Sequence, residues 1–195
     1  MYEVEVKVPA DHAAVRERLD ALGADPVNAV EQEDTYYDAP HREFAETDEA
    51  LRVRRETVHS VGEASDEATE DADEFAELTY KGPLVEAESK TRREIETEVA
   101  EVEVTGDLLG ALGFDPAATV RKERERFALD GYTVTLDAVV GLGEFVEVET
   151  EVADEESVEA ARDEAFEVLR KLGLDPDDQI RTSYLGLLLE QESEA

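Results

Sequence analysis

The chain contains no cysteine and no tryptophan, one methionine and five lysines among 195 residues. Without cysteine there is no disulfide, no thiolate nucleophile and no zinc–thiolate site. No apolar run is long enough to span a bilayer, and the chain opens on a strand-like segment with no signal-peptide pattern, so a cytoplasmic protein is expected. Nineteen Lys and Arg stand against 53 Asp and Glu, a formal net charge of −34. That balance argues against unaided binding to nucleic acid or to an anionic membrane. Any anionic ligand needs a local exception. An acidic, lysine-poor surface suits a salt-rich cytoplasm, and a halophilic source is expected. The alternative, a low-salt acidic protein with a partner-binding face, fits less well, because the acids run through the whole chain.

What is present is periodicity. Apolar residues make up 41% of the chain, enough for one domain with a real core. Tyr2 to Val8 alternates, with Glu3, Glu5 and Lys7 on one face and Val4, Val6 and Val8 on the other, the pattern of a strand. Asp11 can cap a helix that Gly23 stops. Further strands are expected at 35–37, 50–56, 77–81, 91–102, 119–129, 132–139 and 145–152. Two longer helices are expected over 155–172 and 177–190, each with an apolar stripe. Residues 60–74 read as an acidic flexible loop and 191–195 as a frayed tail, leaving 1–190 as a single domain. A Leu-Gly-x-Asp-Pro pattern recurs at 22–26, 112–116 and 172–176. Its unequal intervals rule out a fixed repeat, and each copy reads as a glycine helix stop before proline.

A half-buried strand normally wets its polar face, so charged faces alone mean nothing. Here nearly every strand face is charged, and together the faces carry both signs: Glu3, Glu5 and Lys7; Arg52 and Arg54; Lys81; Lys90, Arg92, Glu94 and Glu96; Lys122 and Arg124; Glu147 and Glu149. Four of the five lysines lie on these faces. The opposite faces are apolar and need helices to cover them. The expected fold is α+β: a closed eight-stranded antiparallel β-barrel with a charged lumen and flanking helices, wide enough for one small ligand. Lining a cavity with ions costs several kcal/mol each unless compensated, and function is the natural reason to tolerate it. Carboxylates without nearby His or Cys are hard ligands for magnesium, manganese or calcium. Glu3, Glu5, Asp137, Glu147 and Glu149 form the obvious cage, and the arginines and lysines suit phosphate oxygens. His12, His41 and His59 are not at ligand spacing, Tyr184 reads as a packing residue, and Gly141 and Gly143 read as a turn.

The motifs run in a specific order: Glu3-x-Glu5-x-Lys7, Tyr36-Tyr37-Asp38, Leu51-Arg52-Val53-Arg54, Tyr80-Lys81-Gly82-Pro83, the KxRxExE run from Lys90 to Glu96, Lys122-Glu123-Arg124, Asp137, and Gly141 to Glu149. In this order they resemble the CYTH superfamily, the triphosphate tunnel metalloenzymes, over nearly the whole chain. The Gly-Leu-Gly-x-Phe-x-Glu-x-Glu stretch is similar to the CyaB branch, the class IV adenylate cyclases. The resemblance implies that Glu3, Glu5, Asp137, Glu147 and Glu149 bind two Mg2+ or Mn2+ ions. It implies that Lys7, Arg52, Arg54, Lys81, Lys90, Arg92, Lys122 and Arg124 hold the triphosphate, with Glu94 and Glu96 as further participants. Lys7, Glu3 and Glu5 are the expected catalytic residues. The implied reaction converts ATP to cyclic AMP and pyrophosphate. Hydrolysis of thiamine triphosphate, inorganic triphosphate or a nucleoside triphosphate would use the same charged residues, and a non-catalytic polyphosphate or nucleotide sensor is a third reading. The expected partner is a small-molecule triphosphate such as ATP, with neither nucleic acid nor membrane, bound by a monomer or homodimer.

Overall fold

A computed structural model describes residues 1–59, 73–85 and 88–194. These residues form eight strands and four α-helices: β1 (Tyr2–Pro9), α1 (His12–Leu22), β2 (Asp25–Asp38), β3 (Ala50–His59), β4 (Glu74–Leu84), β5 (Arg92–Glu98), α2 (Val102–Ala111), β6 (Asp115–Leu129), β7 (Tyr132–Val139), β8 (Gly143–Val152), α3 (Val158–Lys171) and α4 (Tyr184–Glu194). All neighbours are antiparallel, and the order β1-β5-β4-β3-β2-β6-β7-β8 closes on itself. The expected closed eight-stranded barrel is the observed one. No helix of the described residues is long and apolar enough to cross a membrane.

The closure explains the alternation. Val6, Val8, Val134, Leu136, Val146 and Val148 point outward into one cluster with Val15 and Leu19 of α1 and Ala165, Val168 and Leu169 of α3. A fully buried side chain of this kind contributes about 1.5–3 kcal/mol, so the barrel's apolar skin and its helical cover stabilise each other. α2 covers a second patch, where Leu109 meets Val53 and Tyr37. Ile95 of β5 is not covered in this way: it is 51% exposed.

The local signals act where they were read. Asp11 accepts from the Ala14 amide to cap α1, and Gly23 ends it at φ 71°, a left-handed cap that glycine takes without steric penalty. Gly141 and Gly143 hold φ 85° and 106° in the turn from β7 to β8.

Several boundaries differ from expectation. β2 begins at Asp25, where a strand over 35–37 was expected. The strand expected over 91–102 stops at Glu98, and Lys90 lies just before it. α2 was not anticipated: Glu101-Val102-Glu103-Val104 alternates like a strand, yet Thr105 and Leu109, one helical turn apart, are the buried residues. The last helix starts at Tyr184, after a 3-10 turn at Pro176–Asp178. It continues to Glu194, across the end expected to fray from 191. Of the loop expected at 60–74, residues 60–72 lie outside the described residues, and Glu74 already belongs to β4.

Candidate active site

The inward faces meet in a cavity of about 800 Å³, within the range of roughly 300–1,000 Å³ typical of small-molecule sites. Glu3, Glu5, Lys7, Arg52, Arg54, Lys81, Lys90, Arg92, Glu94, Glu96, Lys122, Arg124, Glu147 and Glu149 all line it. Asp137 does not. It is completely buried behind Arg124, whose Nε and a terminal nitrogen lie 2.6 and 2.5 Å from its two oxygens.

Strand register sets which charges meet. Glu5 pairs with Glu149 and Lys7 with Glu147 across the β1–β8 ladder, so carboxylates from both strands share one wall. Lys7 Nζ sits 3.7 Å from Glu5 and 3.7 Å from Glu147. Arg124 reaches Glu147 as well as Asp137. Burial opposes ionisation of Glu147, yet Arg124 and Lys7 outweigh it and hold the carboxyl well below its ordinary range. Glu149 goes the other way: burial, and then the negative charges of Glu3, Glu147 and Glu5, overcome the pull of Arg124 and push it up to about 8.

On the opposite wall, β2, β3 and β6 gather cations around an acid the sequence reading missed. Asp34 is completely buried and takes two bonds from Arg54, at 2.6 and 2.7 Å. Lys122 lies 3.5 Å and Arg52 3.8 Å from it. Burial works against its charge, but Arg54, Lys122 and Arg52 together keep it ionised far below the usual carboxylate range. The signal that could have found it is the alternation Gln32-x-Asp34-x-Tyr36, hidden because the strand was drawn three residues long. Lys122 and Lys90 are both lowered to about 8, chiefly by burial and then by the adjacent cations Arg124 and Lys7 respectively.

The remaining predicted residues line the third side. Lys81 bonds Glu94 and approaches Glu3 at 3.7 Å. Arg92 is bound by the carbonyl and carboxylate of Asp48. Arg52 bonds Thr79 at 2.9 Å and lies 3.7 Å from Glu96. Glu56, Glu77 and Arg126, none of them anticipated, also line the lumen. His12, read as standing outside any ligand spacing, is buried, and its ring nitrogen meets the Phe145 carbonyl at 3.0 Å. Arg181 is exposed and lies outside the cavity lining.

The donor set suits a hard divalent cation. Glu5 Oε1 is buried without a hydrogen-bond partner, and burial, followed by the charges of Glu3, Glu147 and Glu5, raises the pKa of Glu149, a cost that a cation would relieve. Among the described residues no three carboxylates already converge as a cage. Lys7 stands between Glu5 and Glu147 instead, 3.7 Å from each.

Comparisons with known proteins bear on this arrangement. The family described as "CYTH domain" matches residues 1–184. The protein named "Putative adenylate cyclase MJ0240", of Methanocaldococcus jannaschii, is 37% identical over 188 residues, covering 96% of this chain and 98% of that protein. The solved structure of the PH1819 protein from Pyrococcus horikoshii is 37% identical, with a TM-score of 0.85 over 97% of this chain and 99% of that one. The solved "Putative adenylyl cyclase HpAC1" from Hippeastrum, described as revealing a dominant triphosphatase activity, is 17% identical. Its TM-score of 0.64 over 97% of this chain and 95% of that one is a likeness of fold alone.

Proposed function

The chain belongs to the CYTH family, and from that premise we propose that it is a divalent-metal-dependent enzyme that turns ATP into cyclic AMP and pyrophosphate inside the barrel. The observation that carries the reading is that one lumen brings the carboxylates Glu3, Glu5, Glu147 and Glu149 together with the cations Arg52, Arg54, Lys122 and Arg124. The cyclase assignment is supported by the name of the 37% identical Methanocaldococcus protein.

Glu3, Glu5, Glu147 and Glu149 would hold the metal, with Asp137 behind them orienting Arg124. When bound, divalent cations act as Lewis acids that screen phosphate charge and make a hydroxyl or water oxygen more nucleophilic. The chain's own residues supply the rest. Arg52, Arg54 and Arg124 present planar donors that fork onto phosphate oxygens, and Lys7, Lys81, Lys90 and Lys122 act as point charges. Together they stabilise the negative charge that builds on a departing phosphate group, and they are already in place before reaction. Enclosure in the lumen strengthens each of these interactions by excluding water. Net charge is met inside the lumen, where nine Lys and Arg stand among twelve Asp and Glu and bound divalent cations would neutralise carboxylate and phosphate charge together.

The test is product analysis by chromatography after incubation with ATP, inorganic triphosphate or thiamine triphosphate, with Mg2+ or Mn2+ at high salt. Cyclic AMP with pyrophosphate is the expected result. Orthophosphate without cyclic nucleotide would replace the cyclase with a triphosphatase, the activity described for the Hippeastrum protein. Binding without turnover would leave a sensor.

A further inference from the structure

Among the α4 residues that line the lumen, Tyr184 carries the polar side chain, and the proposed reaction does not use it. Tyr184 is 6% exposed, stands at the first position of α4 and lines the cavity. Lys7 Nζ lies 4.1 Å from the centre of its ring and Lys122 Nζ 5.2 Å. Its hydroxyl donates to Asp137 Oδ2 at 2.9 Å, the same carboxylate that holds Arg124. Burial, and after it the charges of Glu147 and Asp137, keep that hydroxyl protonated. On its other side the ring packs against Phe145, with centroids 5.1 Å apart.

The chain just before the helix is fastened to the same strand. The Ile180 amide donates to the Lys7 carbonyl at 2.7 Å, and Ser183 Oγ accepts from the Gly186 amide to cap the helix start. The position of Tyr184 is thus set by β1 below it and by the cap beside it. An aliphatic plug could fill the same space, but it would offer neither ammonium a partner. An aromatic face attracts a desolvated ammonium, and a hydroxyl gives the buried carboxylate a third bond.

We propose that Tyr184 is a positioning residue of the anion site: its ring holds Lys7 and Lys122 in the lumen, and its hydroxyl fixes Asp137 and through it Arg124. One side chain of the C-terminal helix thereby aims three cations from β1 and β6, and seating of α4 becomes a condition for tight binding of a polyphosphate. The inference rests on the reading of the lumen as a triphosphate site.

The experiment compares the full chain with Tyr184→Phe and Tyr184→Leu, measuring affinity for inorganic triphosphate with Mg2+ by calorimetry, and melting temperature separately. Leucine keeps apolar volume and loses both interactions, so affinity falls roughly tenfold, a loss equivalent to about 1.4 kcal/mol and within the span of such ring–cation contacts. Phenylalanine keeps the ring and loses only the Asp137 bond, so its affinity falls between the two. That graded order, with KM rising more than kcat falls, supports the proposal. Equal affinity in all three proteins, with only the melting temperature lowered, makes Tyr184 a packing residue and overturns it. If the leucine variant does not fold, affinity equal to wild type in the phenylalanine variant overturns it as well. A wild-type chain that binds no triphosphate would instead overturn the reading of the lumen, and this inference with it.

Discussion

Arg124 and Asp137 face each other across the β6–β7 ladder, each buried, joined by two hydrogen bonds of 2.6 and 2.5 Å. Breaking a buried pair by removing one partner costs about 3–5 kcal/mol, because the other charge is left uncompensated. Glu147 also reaches Arg124 and softens the loss. Asp137→Ala is therefore expected near the lower end of that span, about 3 kcal/mol in urea unfolding. A loss below about 1 kcal/mol would mean that Glu147 alone satisfies the guanidinium.

The two carboxylates of β8 should separate function from stability. Glu147→Gln and Glu149→Gln should both abolish metal-dependent turnover. Glu147 is ionised against Arg124 and Lys7, so its glutamine variant is destabilised. Glu149, with burial the largest cause, titrates near 8 where an ordinary glutamate titrates at 4.5. It is already neutral at pH 7 without metal, and its glutamine variant should melt within a few degrees of wild type. For such a raised pKa the folded state binds the extra proton, so this contribution is complete below about 4.5 and is lost as pH rises to about 8. The metal-free wild type should lose stability across that window and the variant should not. Added Mg2+ or Mn2+ should raise the melting temperature of wild type alone, and full activity in either variant would refute the metal assignment.

Binding of triphosphate should take up protons at mildly alkaline pH. Lys90 and Lys122, lowered by burial to about 8 from 10.5, lose charge above pH 8, and a bound anion restores it. Affinity should fall from pH 8 to 10.5. In the ligand-free protein the sign for stability is opposite: the unfolded chain binds more protons across that interval, so deprotonation relieves a cost and stability rises. Calorimetry in two buffers of different ionisation enthalpy measures the uptake at pH 8–8.5. Identical heats in both buffers would contradict it.

Salt should stabilise the fold. With a net charge of −34, self-repulsion acts over a screening length of about 10 Å at 0.1 M and about 3 Å at 1 M. The melting temperature is expected to climb steeply between those concentrations of NaCl. A flat profile would remove the argument for a salt-rich habitat.

Legibility followed the range of the interactions. The β1 alternation was visible because an inward Glu or Lys beside an outward Val is a period-two signal contained in seven residues, and α1 because Asp11 and Gly23 act on amides a few positions away. α3 showed its stripe for the same reason. α2 failed because its two-residue charge alternation imitates a strand, while the contacts that make it helical come from Val53 and Tyr37, some fifty to seventy residues earlier. Asp34 failed because the partners that keep it charged lie on β3 and β6.

The sequence by itself therefore determined that strands with charged inner faces would close under apolar-faced helices, and most of the charged residues that line the lumen, since side-chain period and face are properties of adjacent positions; it did not show that Asp137 would stand behind the lining or that Glu56, Glu77 and Arg126 would join it. Only the tertiary structure decided the pairings within it: Asp137 turned to Arg124 and Tyr184, Lys7 set between two carboxylates, and Asp34 placed beneath three cations. Those pairings depend on strand register and on the closure of β8 against β1, and apart from Lys7 and Glu5, neighbours on one face of β1, each joins residues on different strands or on a strand and a helix. Local chemistry cannot choose among such partners before the barrel has brought them together.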